Sequence, residues 1–154
     1  MIIGVGNDHA AVSLKKAVIA HLTEMGHECI DYGAQEGEAV DYPVPGRAVA
    51  EAVQRGEADK GILICGTGIG IGISANKVPG IRCAICSDTF SAAMCVEHND
   101  CNCIAFGARV VGEGLALKIV DAYLSASFQG GRHERRVGLI SQIEAAYSAG
   151  GEVS

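Results

Sequence analysis

The stretch that most constrains the fold of this chain runs from residue 60 to residue 77, with the sequence KGILICGTGIGIGISANK. Its apolar run at 61–65 predicts a strand of a parallel sheet that is buried on both faces. The glycines at 66, 68, 70 and 72 predict a turn, after which helical composition resumes at 73–76. A strand, a glycine-rich turn and a helix start favour anion binding, because backbone N–H groups point outward there.

Short apolar runs and helical patterns alternate along the rest of the chain. The strands are predicted at residues 2–6, 28–32, 61–65, 81–86 and 103–106, and the helices at 11–25, 47–54, 88–97, 112–126 and from 132 onward. This alternation predicts an α/β fold, a doubly wound parallel sheet of about five strands with helices on both faces. We expect residues 1–148 to form one domain and residues 149–154 to form a flexible tail.

Composition limits the partners of the chain. Its 154 residues carry a formal net charge of −6, which argues against nucleic acid or an acidic membrane surface as a general partner. No apolar run is long enough to span a membrane and no signal-peptide pattern is present, so we expect a cytoplasmic location. The seven cysteines are an odd number and lie mostly in apolar segments, which predicts reduced, buried thiols.

Cys65 differs from the other cysteines because it ends a predicted strand. Ligands of open α/β sheets bind at the carboxyl ends of strands, and a helix N-terminus favours the thiolate form of a cysteine. The glycine-rich turn matches neither the P-loop nor the dinucleotide-binding pattern. Its glycines weaken a helix start by about 1 kcal/mol each relative to alanine. Close backbone approach to a ligand is therefore favoured over a turn that serves packing alone.

Histidines in two polar turns are candidates for acid–base chemistry. Asp8 and His9 follow the first predicted strand, and His98 and Asn99 precede the fifth. Imidazole titrates near neutral pH, which suits general acid–base roles. The simpler interpretation of Asp8 is a helix N-cap, and a lone histidine is usually structural.

A basic cluster opens the last predicted helix. Arg132, Arg135 and Arg136 lie in its first turn, where positive charge opposes the helix dipole. A solvated basic face is one interpretation. We favour an anion such as phosphate, because Arg132 and Arg136 are one turn apart and can grip one group together, with Arg109 joining them.

These residues form a set of motifs that covers nearly the whole chain: Asp8-His9, Asp41-Tyr42-Pro43, CGTGIGI from Cys65, Ser74-Ala75-Asn76-Lys77, His98-Asn99-Asp100, Phe106-Gly107-Ala108-Arg109-Val110-Val111-Gly112, and Gly130-Gly131-Arg132-His133 with Arg136. The set resembles the type B ribose-5-phosphate isomerases, a group that includes galactose-6-phosphate isomerase subunits. The resemblance implies a Rossmann-like fold and a homodimer or dimer of dimers with active sites shared between subunits. It also implies interconversion of an aldose phosphate and a ketose phosphate in the pentose phosphate pathway, with no cofactor and no metal.

The resemblance further implies a role for each matching residue. Cys65 would be the base that moves a proton between C2 and C1, Thr67 would exchange a proton with a substrate hydroxyl, and His98 would open the furanose ring. The enediolate oxygens would be held by the backbone amides of Gly66, Gly68, Ile69 and Gly70. Substrate hydroxyls or the ring oxygen would be bound by Asp8, His9 and Asn99, and the phosphate by Arg109, Arg132 and Arg136.

Three alternatives to ribose 5-phosphate isomerisation stay open. Ala10-Ala11 and Gly72 depart from the pattern of many relatives, which leaves a six-carbon substrate such as allose- or galactose-6-phosphate possible. A non-catalytic sugar-phosphate-binding protein would need only the glycine-rich turn and the arginines. A thiol-redox protein would need a resolving cysteine beside Cys65, and none is adjacent in sequence.

Overall fold

A single parallel sheet organises residues 1–148, the part of the chain that the computed structural model describes. Its strands are β1 (Ile2–Asn7), β2 (Glu28–Asp31), β3 (Lys60–Cys65), β4 (Cys83–Ile85) and β5 (Cys103–Gly107). The helices are α1 (Val12–Glu24), α2 (Pro43–Gln54), α3 (Ile69–Ala75), α4 (Thr89–Asn99), α5 (Glu113–Ser125) and α6 (Arg132–Ser148), with a 3-10 turn at His9–Ala11. The strand order is β2-β1-β3-β5-β4, and every neighbouring pair is parallel. The predicted fold class is confirmed.

The sheet carries a buried core on each face. Side chains of β3 alternate between the two cores, with Ile62 and Ile64 on one face and Leu63 and Cys65 on the other. Helices α1, α4 and α5 cover the first face, and α2 and α3 cover the second. This alternation follows from the two-residue period of a strand, and it points the Cys65 side chain toward α2 and α3.

The predicted start of α3 at residue 73 is wrong, because the helix begins at Ile69. Gly70 and Gly72 therefore lie inside the helix. A Cβ atom on Gly70 would come within 2.7 Å of the Tyr42 ring, and one on Gly72 within 2.7 Å of Ile85. Close packing within the chain thus explains why these two positions are glycine, without the ligand approach that the sequence pattern favours.

Two other predicted boundaries shift. Helix α2 starts at Pro43 instead of residue 47. Proline is favoured in the first turn of a helix, because the N–H that it lacks would have no partner there and because its fixed φ already suits a helix. The fourth strand is shorter than the predicted 81–86. The predicted flexible tail at 149–154 lies outside the described residues.

The cysteines are free thiols in this structure. All seven lie in the described part of the chain, and six of them are buried. The prediction of buried thiols is confirmed for six of the seven, all but Cys29. Within residues 1–148, no helix is both long and apolar enough to cross a membrane.

Candidate active site

The carboxyl ends of three neighbouring strands form the candidate site. Strand β3 lies between β1 and β5, with Ile64 opposite Asn7 and Cys65 opposite Gly107. The next residues stay together: the Asp8 N–H donates to the Ile64 carbonyl oxygen at 3.3 Å, and the Arg109 N–H donates to that of Gly66 at 3.0 Å. The sheet thereby brings Asp8, Cys65 and Arg109 to one edge.

The Cys65 sulfur is held at the start of the glycine-rich turn. Cys65 is 4% exposed, and its Sγ accepts a hydrogen bond from the Gly68 N–H at 3.1 Å. Thr67 and Ile69 are exposed, and the Ile69 N–H donates to Thr67 Oγ1 at 3.2 Å. An N–H aimed at sulfur stabilises negative charge on it. The turn therefore combines a potential base with backbone donors.

Two facing glycines fix the shape of this turn. Gly68 has φ +79°, and a Cβ atom there would lie 2.6 Å from the backbone of Phe106. A Cβ atom on Gly107 would lie 2.6 Å from the backbone of Thr67. The turn and β5 consequently touch backbone to backbone, which only glycine at both positions allows.

Charged side chains surround the turn. Arg109 Nη1 lies 3.3 Å from where a Cβ atom of Gly66 would be, so the guanidinium group covers the turn. Asp8 is buried and caps the following 3-10 turn, its Oδ1 accepting from the Ala10 N–H at 2.9 Å. The N-cap interpretation of Asp8 is therefore confirmed. His9 is exposed, and its Nδ1 lies 3.3 Å from the Val40 carbonyl oxygen.

A buried polar network behind Asp8 was not found from the sequence. Lys15 is 1% exposed; its Nζ donates to the Ala34 carbonyl oxygen at 2.7 Å and pairs with Asp31 at 2.9 Å. Buried Asn7 donates through Nδ2 to the carbonyl oxygens of Asp8 at 2.7 Å and Ala34 at 3.4 Å. A lysine on the buried side of α1 was the one signal in the sequence that could have revealed this network.

The remaining predicted site residues lie at the opposite edge of the sheet. Helix α4 starts beyond the carboxyl end of β4 and runs back, so His98 and Asn99 reach the amino ends of the strands. Arg82, just before β4, donates to the Asn99 carbonyl oxygen at 2.9 Å. The first turn of α6 docks here too, because the His133 and His98 rings stack with centroids 4.3 Å apart.

The His98–His133 stack has an electrostatic consequence. Burial first, and then the charge of His98 and of two nearby arginines, lower the pKa of His133. A neutral imidazole can stack on a second imidazole without charge repulsion. Arg132 and Arg136 follow the same helix turn, so they belong to this edge.

The predicted site residues thus form two groups. The carboxyl-edge group contains Asp8, His9, Cys65, Gly66, Thr67, Gly68, Ile69, Gly70 and Arg109. The amino-edge group contains His98, Asn99, Arg132 and Arg136. Strand β5 spans the two edges with five residues, and four steps of about 3.3 Å separate its ends by about 13 Å.

Metal chemistry has no obvious ligand set among residues 1–148. No group of three or more His, Cys, Asp or Glu side chains there is arranged to hold a metal ion.

Comparisons with known proteins agree with the geometry. Residues 3–140 match the model of the Ribose/Galactose Isomerase family. Escherichia coli ribose-5-phosphate isomerase B is 53% identical over 142 residues, 92% of this chain and 95% of that protein. D-erythrulose-4-phosphate isomerase of Pectobacterium atrosepticum is 43% identical over 143 residues, 92% of this chain and 94% of that protein.

A solved structure extends the comparison to three dimensions. Ribose-5-phosphate isomerase B of Clostridium thermocellum superposes with a TM-score of 0.94 at 56% identity, over 96% of this chain and 99% of that one. The family model, the relatives and the superposed structure each match most of the chain. The chain therefore belongs to the ribose/galactose isomerase family.

Proposed function

We propose that this chain interconverts ribose 5-phosphate and ribulose 5-phosphate by moving a proton between C2 and C1. The observation that carries the proposal is the position of Cys65, whose sulfur ends a central strand and accepts the Gly68 N–H at 3.1 Å. A proton next to a carbonyl becomes acidic when donors stabilise the enediolate oxygens. A base beside backbone donors is the arrangement that this reaction requires.

Each proton in the proposed reaction has a carrier. The Cys65 thiolate removes the C2 proton of the open-chain aldose, which forms a thiol and an enediolate. The thiol returns the proton to C1, while Thr67 relays the C2 hydroxyl proton toward O1. The Gly68 amide supports the sulfur, and we assign the amides of Gly66, Ile69 and Gly70 to the enediolate oxygens, the Ile69 N–H exchanging its Thr67 Oγ1 acceptor for the substrate.

The substrate ends are assigned by charge. Asp8 and His9 would contact sugar hydroxyls or the ring oxygen. Arg109 covers the glycine-rich turn and would bind phosphate together with Arg132 and Arg136. His98 would open the furanose ring, with Asn99 assisting. Arg109 belongs to the carboxyl-edge group, whereas Arg132, Arg136, His98 and Asn99 belong to the amino-edge group.

We further propose that a second copy of the chain completes each site. The two groups lie at opposite ends of the strands, and β5 alone is about 13 Å long, so one chain does not bring His98 to Cys65. Helix α6 also leaves large apolar side chains uncovered, with Ile143 62% and Tyr147 75% exposed. A homodimer, or a dimer of dimers, would cover this helix and place one copy's amino-edge group against the other's carboxyl-edge group.

The number of carbon atoms in the sugar substrate is a separate question. The matching family is named for ribose and galactose, and one relative is named for a four-carbon sugar phosphate. We propose ribose 5-phosphate as the main substrate and a six-carbon phosphate, such as allose- or galactose-6-phosphate, as the second candidate. Ranking kcat/KM over four-, five- and six-carbon phosphates decides between them.

The decisive experiment follows ribose 5-phosphate in deuterated water with a metal chelator present. We expect ribulose 5-phosphate with deuterium at C1. Cys65→Ser should nearly abolish turnover while substrate binding stays within roughly tenfold, about 1.4 kcal/mol. Cys83→Ser, a matched change in the same core, should keep wild-type kcat.

Two results would contradict the proposal. Substrate binding that falls as steeply as turnover in Cys65→Ser would remove Cys65 as the base. No turnover of any sugar phosphate, together with a rise in Tm on adding one, would indicate a non-catalytic binding protein.

A further inference from the structure

Three cysteines that the proposed reaction does not use share one buried core. Cys86, Cys95 and Cys101 pack on the sheet face that carries α1, α4 and α5. Cys95 and Cys101 are each 7% exposed. Both lie at the end of α4, on either side of His98 and Asn99.

A sharp turn brings Cys101 back onto Cys95. Asp100 ends α4 in the left-handed region, with φ +49°, and the Cys101 N–H donates to the Cys95 carbonyl oxygen at 3.0 Å. Residues of a helix that are joined by such a bond have Cα atoms about 6 Å apart, and disulfides span Cα distances of about 4.4–6.8 Å. The two thiols are close enough to shift each other's pKa, and the Cys95 thiol donates to the Ala92 carbonyl oxygen at 3.2 Å.

The pKa values of the two thiols shift in opposite directions. The hydrogen bond with Cys95, opposed by burial and aided by Arg82 and Lys60, lowers the pKa of Cys101. Hydrogen bonds with Cys101 and Cys86, together with burial, raise the pKa of Cys95. Arg82 is fixed beside them, donating to the Asp100 carbonyl oxygen at 2.7 Å. Cys101 is therefore the better nucleophile, since the thiolate is the reactive form.

We propose that Cys95 and Cys101 form a reversible disulfide with a small-molecule disulfide as oxidant. The Cys101 thiolate attacks one sulfur of the oxidant, forming a mixed disulfide and releasing one thiolate, which takes up a proton. Cys95 then loses its proton, attacks the Cys101 sulfur and expels the second small thiol. The two protein thiols lose two electrons, and the oxidant is reduced to two thiols.

The disulfide encloses the segment that carries His98 and Asn99. An S–S bond of about 2.05 Å is shorter than a non-bonded contact between sulfurs, and the side-chain rotation and small backbone adjustment that it needs fall on this segment. A misplacement of about 1 Å can cost roughly 100-fold in rate. This step rests on the proposed role of His98, and we expect the oxidised protein to lose at least about tenfold in kcat, with recovery in dithiothreitol.

The test treats the protein with cystamine and maps disulfides by peptide mass. A Cys95–Cys101 peptide pair is the expected result, and its absence, or a different pair, overturns the proposal. The mapping is independent of turnover, so it separates this proposal from the proposed function, which the activity of the reduced protein tests. The disulfide mapping needs only the wild-type protein.

Matched variants test the link to activity. Cys101→Ser and Cys95→Ser should keep their activity in cystamine, whereas Cys86→Ser should lose it as the wild type does. Equal inactivation of Cys101→Ser and wild type would place the effect elsewhere, for instance at Cys65, and overturn the regulatory role. A mapped disulfide with unchanged kcat overturns that role as well.

Discussion

Two inactive variants should restore activity in each other if the site is shared between chains. Cys65→Ser disables the carboxyl-edge group of its chain, and His98→Asn disables the amino-edge group. In a mixed dimer, one site combines both damaged groups and the other combines both intact groups. One working site in every mixed dimer follows from the isologous symmetry of a twofold dimer.

The size of the recovery follows from counting sites. Equal amounts of the two chains, mixed at random, give mixed dimers as about half of all dimers, so about a quarter of wild-type activity should return. A mixed dimer isolated through two different affinity tags should reach about half. The assay is turnover of ribose 5-phosphate before and after the chains exchange in mild denaturant.

A control pair separates sharing from nonspecific stabilisation. Cys65→Ser and Asp8→Ala both fall in the carboxyl-edge group, so the activity of their mixed dimer should stay at the mean of its two parents. Mixed dimers that are verified by mass yet show no recovery for the Cys65 and His98 pair would refute the shared site. The same would hold if the control pair recovered equally.

Further predictions concern the turn, the phosphate and pH. Gly68→Ala and Gly80→Ala both place an alanine in the left-handed region, which costs about 1–2 kcal/mol of stability. Only Gly68 faces the backbone of β5. Urea unfolding should therefore show that Gly68→Ala loses roughly 1–3 kcal/mol more of the free energy of unfolding than Gly80→Ala. Arg136→Ala should raise KM at least tenfold, which corresponds to about 1.4 kcal/mol of binding free energy, while kcat is largely kept. Arg135→Ala, the control, should leave KM unchanged. Equal KM values for the two variants would remove Arg136 from the phosphate site. Because the folded pKa of His133 is lowered, the unfolded chain binds more protons below its ordinary pKa of about 6.5, and stability falls as pH drops through that value. The Tm of wild type should therefore decrease more than that of His133→Gln between about pH 8 and pH 5, and parallel decreases would contradict the shift.

The fold was predictable from the sequence where local signals were strong. The run that ends at Cys65 is apolar, short and followed by glycine, so both its strand and its position at a ligand-binding edge could be predicted. The start of α3 could not. The helix penalty of Gly70 and Gly72 is offset by contacts with Tyr42 and Ile85, which are distant in sequence.

The candidate site was predictable in chemistry and less so in placement. His98 was selected for its imidazole and its polar turn. His98 lies at the end of the sheet opposite Cys65 because helix α4 runs back from the carboxyl end of β4. The sequence motif around His98 does not predict this direction. Lys15 was missed because its partner Ala34 lies 19 residues away, and only the tertiary fold brings the two together.

The backbone contact between the glycine-rich turn and β5 bears on how such a site can diversify. The donors that would stabilise the enediolate are main-chain groups, and their positions depend on Gly68 and Gly107 instead of on any side chain. The exposed side chain of Ile69 can change without moving those donors, whereas Thr67 is held to its proposed role as proton relay. Substrate range can therefore drift during evolution, or be redesigned, while the proton-transfer chemistry is inherited intact.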